Sequence, residues 1–304
     1  MKTTMKSPFN PGALHHVYQR ADDLGVIFYR LQDRLAYYTL AATMARKYKI
    51  KVWAAAIMFT HIHQSCRASD YQSLWNYLRD LDSSFARAYN HEYGRKGKLF
   101  RRHPGIAPKS SEKAVRTNIL YVINNHVEKQ LCSRATDERW CFIAYAKSPS
   151  PFSDPFILGR DHLKRAIKLI DKRVTGMRPL KYRELNTIFK GLNEDEVNAI
   201  TDYIIGKYSL VNHAAAIRPF GSFESLITAA ESTTGAEHDF SEDYYSGSDV
   251  PFIELIDFAS GKGYLKRIFQ MDADHLLRLA KHAKTCSSAR ISHIERFFHI
   301  QISH

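Results

Sequence analysis

The sequence predicts an α+β fold of ferredoxin-like kind, an antiparallel sheet with helices packed on it, followed by an all-α C-terminal region. Two helical stripes separate short β-rich runs in the first half, and only helical stretches read beyond the proline-rich segment Ser148-Pro149-Ser150-Pro151-Phe152-Ser153-Asp154-Pro155. At roughly 100–200 residues per domain, 304 residues suggest two domains, divided here as 1–150 and 151–304. A hydrophobic content of 44% is enough to bury a core.

The elements follow in order. His15 to Arg20 reads as a first strand, and a loop leads to the apolar Val26-Ile27-Phe28-Tyr29. Asp33 opens a helix to about residue 49, with Leu31, Leu35, Tyr38, Ala42 and Ala45 along one face. Val52 to Phe59 and His61 to about Arg67 form a strand pair, turned near Thr60. A second helix over about 70–92 carries Leu74, Leu78, Leu81, Phe85 and Ala88 at heptad-like spacing and stops at Gly94. A short strand near Ile106 to Pro108 precedes a third helix, capped by Ser110 or Ser111 and running to about Lys129. Its core face is Val115, Ile119, Val122 and Ile123, while Asn118, Tyr121 and Asn125 make a polar stripe on another face.

Charge separates the two halves. The formal charge of +13 falls entirely in residues 1–150, where 24 Lys and Arg face 11 Asp and Glu, and residues 151–304 are neutral. An excess of this size favours a polyanionic partner, nucleic acid before membrane, since no basic amphipathic anchor is evident. The longest apolar run, Val52 to Phe59, is too short to span a bilayer, and Met1 to Lys6 leads into no apolar signal segment. Four cysteines without C-x-x-C spacing fit reduced thiols, hence a cytoplasmic protein.

The chemistry centres on the end of the apolar strand. Alternate side chains of a strand share a face, so His61 and His63 point the same way and can grip one metal ion, while Ile62 faces the core. The competing reading is two histidines at a strand end. A histidine-triad hydrolase would need a third alternating histidine where Ser65 stands, and a zinc site using Cys66 would need opposite faces of one strand. The order of elements can bring the third helix, with Tyr121 and Asn125, close to the histidine pair. A second candidate surface is Arg95-Lys96-Gly97-Lys98-Leu99-Phe100-Arg101-Arg102-His103-Pro104-Gly105, whose glycines allow close approach to phosphates. Together with Lys109, the residues Arg95, Lys96, Lys98, Arg101 and Arg102 are the candidate DNA-binding set.

Ile57-Met58-Phe59-Thr60-His61-Ile62-His63 resembles the strand "vlMpNHvH" of the REP-associated tyrosine transposases, the single-tyrosine branch of the HUH endonucleases (transposase IS200-like family). The resemblance runs through His16-Val17-Tyr18-Gln19-Arg20, Phe85 to Asn90, and Gly97 to Arg102. It continues in Tyr121-Val122-Ile123-Asn124-Asn125, similar to "YvhlNP", and in Trp140 to Ala146, similar to "WSSyrA". Thr60 replaces the usual Asn, His126 stands where Pro is common, and Gln130-Leu131-Cys132 replaces "AGL".

The resemblance implies that Tyr121 is the nucleophile, that His61 and His63 bind Mg²⁺ or Mn²⁺, and that Asn125 is a third ligand. It further implies cleavage of single-stranded or hairpin DNA through a 5′-phosphotyrosine, with a free 3′-OH able to rejoin strands. The alternative is a catalytically silent DNA-binding module of the same fold.

Beyond the linker, helices are expected over about 161–174, 181–190, 194–208, 222–231, 250–259, 262–270, 272–284 and 287–299, with a surface loop at 235–249. The last pair has the proportions of a helix-turn-helix, with Ser288, Arg290 and His293 on its recognition helix; plain packing explains it equally well.

Overall fold

The computed structural model describes residues 9–154, 160–232 and 247–302, which form a four-stranded antiparallel sheet and eleven α-helices. Residues 1–6, residue 155 and residues 235–246, on which part of the leader, linker and loop expectations falls, lie outside the described residues.

The first half runs β1 (Leu14–Arg20), α1 (Leu31–Lys47), β2 (Lys51–Ile57), β3 (His61–Arg67), α2 (Tyr71–Tyr93), β4 (Gly105–Lys109) and α3 (Glu112–Glu128). Across the sheet the strand order is β2-β3-β1-β4. Local chemistry sets the helix ends. The Asp70 carboxylate accepts the Ser73 amide at 2.8 Å to start α2, and Gly94, at φ 62°, ends it in the left-handed conformation glycine adopts without steric cost. Ser111 Oγ accepts the Ala114 amide at 3.1 Å to start α3. Asp33 lies one turn inside α1 rather than before it, because its carboxylate reaches back to the Arg30 amide at 2.8 Å. Val26 to Tyr29 joins no strand: the Ile27 and Phe28 amides both bond the Phe59 carbonyl.

The sheet separates two cores. Val17, Val52, Ala55, Ile57, Ile62, Cys66 and Ile106 face α1 and α2, whereas Leu14, Trp53, Ala54, Ala56 and Met58 face α3. An irregularity between Val52 and Ala54 lets both Trp53 and Ala54 face α3, which the period-2 rule alone forbids. The α3 helix is covered on its other side as well, where Asn124 Nδ2 donates to the Ala230 carbonyl. Its polar and apolar stripes are therefore both buried, with Asn118, Tyr121 and Asn125 each below 4% exposure.

The second half comprises α4 (Asp161–Thr175), α5 (Tyr182–Ile188), α6 (Glu194–Tyr208), α7 (His213–Ile217), α8 (Phe223–Ser232), α9 (Val250–Gly261), α10 (Ala273–Cys286) and α11 (Ile291–Phe298). The expected helix over 262–270 reduces to one 3₁₀ turn, Ile268–Gln270, and α7 was not expected. These helices share the core of the first half. Tyr38 Oη donates to the Ile205 carbonyl, Tyr29 Oη to the Phe297 carbonyl, and the Asn212 amide to the Val52 carbonyl. Of Ser288, Arg290 and His293, only His293 is buried, against Phe252; Ser288 is exposed and bonds Glu254, and Arg290 is exposed. Among the described residues no helix is long and apolar enough to cross a membrane. The four cysteines are free thiols, Cys66 and Cys141 buried.

Candidate active site

Strand register assembles the site. His61, His63 and Ser65 alternate along β3 toward α3, and opposite them on β1 stand Arg20, Tyr18 and His16 in that order. The rings of His61 and His63 are 4.8 Å apart and perpendicular. Thr60 Oγ1 lies 2.9 Å from His61 Nδ1, within hydrogen-bond distance of this imidazole.

Helix α3 closes the cluster from above. The Tyr121 ring is 5.3 Å from that of His63 and 5.5 Å from that of His16, edge-on to both. Its side chain is buried, at 2% exposure. One turn earlier, Asn118 Oδ1 accepts from Ser65 Oγ at 2.7 Å, and Asn118 Nδ2 sits 2.7 Å from His16 Nδ1. One turn later, Asn125 Nδ2 donates to the Tyr121 carbonyl at 2.8 Å. Next to it, His126 Nε2 donates to the Ile57 carbonyl at 3.2 Å, which leaves His126 Nδ1 buried with its lone pair and no hydrogen-bond partner.

Burial holds these imidazoles neutral. Desolvation first, then the charges of Arg20, His126 and Lys129, push the His63 pKa down to about 3. His61 and His16 are lowered well below the usual histidine value, again chiefly by burial, and His126 is lowered too. His63 Nε2 is buried and has no hydrogen-bond partner. Among the described residues, no three His, Cys, Asp or Glu side chains converge closely enough to hold a metal ion. His61 is half-buried, as are Tyr18 and Arg20.

The basic turn divides into two places. Lys96, Lys98 and Arg102 are exposed and Arg101 is half-buried, while buried Leu99 and Phe100 anchor the turn. Arg95 folds back onto Asn90 Oδ1 at 3.2 Å and over the Phe269 ring. Lys109, opposite Leu14 at the end of β4, stands instead on the face of the histidine cluster, where its charge helps depress His16. Trp75, Arg79 and Asp82 of α2 join Lys98, Arg101 and Arg102 around a groove of about 320 Å³.

The sequence patterns point to Tyr121, His61 and His63 and give no role to His16, Tyr18 or Trp75. Alternation on a buried strand could have found the first two: His16, Tyr18 and Arg20 are every second residue of β1, the pattern that had singled out His61 and His63.

No family model and no curated protein matches this chain. One solved structure that it resembles is that of a REP-associated tyrosine transposase bound to a REP hairpin, at 13% identity and a TM-score of 0.36, covering 44% of this chain and 79% of the other. What fold and site define is an α/β protein with a tyrosine set among neutral, buried imidazoles.

Proposed function

We propose that this chain is a metal-dependent single-stranded DNA endonuclease and strand transferase of the single-tyrosine HUH kind, built on a ferredoxin-like sheet. The observation that carries the reading is the packing of Tyr121 against His63 and His16 on the face where β3 presents His61 and His63. The β-α-β-β-α-β order with sheet order β2-β3-β1-β4 supports the fold part of the proposal.

The donor set fits a divalent cation. His61 and His63 are neutral imidazoles, His63 Nε2 is a buried nitrogen with no hydrogen-bond partner, and Asn125 would add an amide oxygen, a mixed set suited to Mn²⁺ and admitting Mg²⁺. Such an ion, when bound, neutralises a phosphate and polarises it toward attack. The Tyr121 oxygen then forms the bond to phosphorus as the bond to the 3′ oxygen breaks. The phenol gives up its proton as its bond to phosphorus forms, the 3′ oxygen takes up a proton and leaves as a 3′-OH so that protons balance across the step, and the 5′ phosphate remains esterified to Tyr121. Attack by the 3′-OH of another strand reverses the step and rejoins DNA without an external energy source. Arg20 and Lys109 add positive charge beside the site, and the exposed Lys96, Lys98 and Arg102, with Arg101, would track the backbone of hairpin DNA.

Incubation with single-stranded hairpin DNA and Mn²⁺ or Mg²⁺ should give a covalent adduct on Tyr121. The burial of Tyr121 favours a second reading, a silent DNA-binding module. Tight hairpin binding with no adduct under either metal would select it.

A further inference from the structure

Four buried side chains form one hydrogen-bonded chain: Ser65 Oγ to Asn118 Oδ1 at 2.7 Å, Asn118 Nδ2 to His16 Nδ1 at 2.7 Å, and His16 Nε2 to His63 Nδ1 at 3.2 Å. At its end stands His63 Nε2, buried and without a hydrogen-bond partner. All four residues are at most 1% exposed.

We propose that Asn118 and His16 are positioning residues that decide which nitrogen of His63 carries its proton. A neutral imidazole has one N–H and one lone pair, so each link constrains the next. In one polarity Ser65 donates to the Asn118 oxygen, the Asn118 amide donates to His16 Nδ1, and His16 Nε2–H donates to His63 Nδ1. The proton of His63 is then on Nε2, which can donate to a phosphate oxygen but cannot bind a metal. In the other polarity the Asn118 amide is turned over. His63 Nδ1–H donates to His16 Nε2, His16 Nδ1–H donates to the Asn118 oxygen, and the Asn118 amide donates to Ser65 Oγ. His63 Nε2 then offers a lone pair. Atoms and charge are the same in both, and every internal link is satisfied in both.

A mixed arrangement is disfavoured. His16 protonated on Nδ1 with His63 protonated on Nε2 sets two lone pairs against each other at 3.2 Å, and the converse sets two N–H groups against each other. The two rings therefore share one tautomer, both Nδ1–H or both Nε2–H. The part that concerns metal rests on the proposed function, because a ligating histidine commonly donates its other ring N–H to a fixed acceptor; the pairing of tautomers does not rest on it.

The test is long-range ¹H–¹⁵N correlation on the full chain with ¹⁵N-labelled histidine, resonances being assigned with His16→Gln and His63→Gln variants. Matched tautomers of His16 and His63 are expected in the unaltered protein, and a mixed pair overturns the proposal. Asn118→Asp, whose carboxylate can only accept, should place both protons on Nδ1; His63 remaining Nε2–H in that folded variant also overturns it. If that variant does not fold, the measurement on the unaltered chain still decides. Mn²⁺ titration gives a separate readout, Asn118→Leu lowering affinity about 10- to 100-fold relative to the unaltered chain. Absence of Mn²⁺ binding to every form would defeat the metal reading and leave the tautomer result to stand or fall by its own spectrum.

Discussion

Asn125 donates its side-chain amide to the carbonyl of Tyr121, one turn back on the same helix, at 2.8 Å. This bond ties the amide of the proposed third ligand to the backbone of the proposed nucleophile, and leaves the amide oxygen as the atom that could reach a metal. Asn125→Ala should therefore lower Mn²⁺-supported cleavage less than His61→Ala or His63→Ala, each of which should abolish it, since an amide contributes less to binding than an imidazole. Cleavage assays on the three variants, with an excess-chelator control, measure this; full activity in chelator would remove the metal from the mechanism.

Tyr121→Phe keeps the ring that packs on His16 and His63 and deletes the oxygen. It should bind hairpin DNA as before and form no covalent adduct. Peptide mapping provides the check on the unaltered chain. An adduct on Tyr18, half-buried and 6.5 Å from the His63 ring, would move the nucleophile to β1.

Replacing Arg101 and Arg102 together should flatten the slope of log K against log salt by roughly 1 to 1.5, at about 0.7 per phosphate contact for single strands, equally for hairpins of different sequence. A melting temperature that falls while the salt slope stays unchanged would make the turn structural. Trp75→Ala, in the same groove, should weaken single-strand binding with little change in that slope, because stacking releases no counterions.

Burial raises the Asp82 carboxyl to about 7, opposed by its bond from Gln19 Nε2 at 2.7 Å. Asp82 holds its proton in the folded chain up to about pH 7 but loses it near pH 4 when unfolded, so the native state binds the extra proton in that window. Its contribution to stability is full below pH 4 and is lost as pH rises toward 7, by at most about 4 kcal/mol. Denaturant titrations at several pH values should show Asp82→Asn flattening this fall.

A Cβ at Gly105 would lie 1.9 Å from the Tyr18 ring. Gly105→Ala should push Tyr18 off its seat beside His63 and destabilise the chain by about 1–3 kcal/mol, the usual cost of overpacking. Thermal melts measure the loss, and an unchanged melting temperature would mean that the ring relocates freely.

Much of the fold was legible in the sequence because it is local. The spacing of Leu74, Leu78, Leu81 and Phe85, the Asp70 cap and Gly94 determine α2 within a few turns of backbone, and strand alternation alone puts His61 and His63 on one face. The neighbours of those histidines were decided only by tertiary structure. His16 and Asn118 are 102 residues apart and meet because β1 pairs with β3 while α3 lies across both. Strand register and the docking of a helix depend on burial summed over the whole chain, which no local pattern encodes. The same holds for the helical second half. Its helices could be read one by one from their periodicity, but the bonds from Tyr38 to Ile205 and from Tyr29 to Phe297 arise only when the chain has closed one core around both halves.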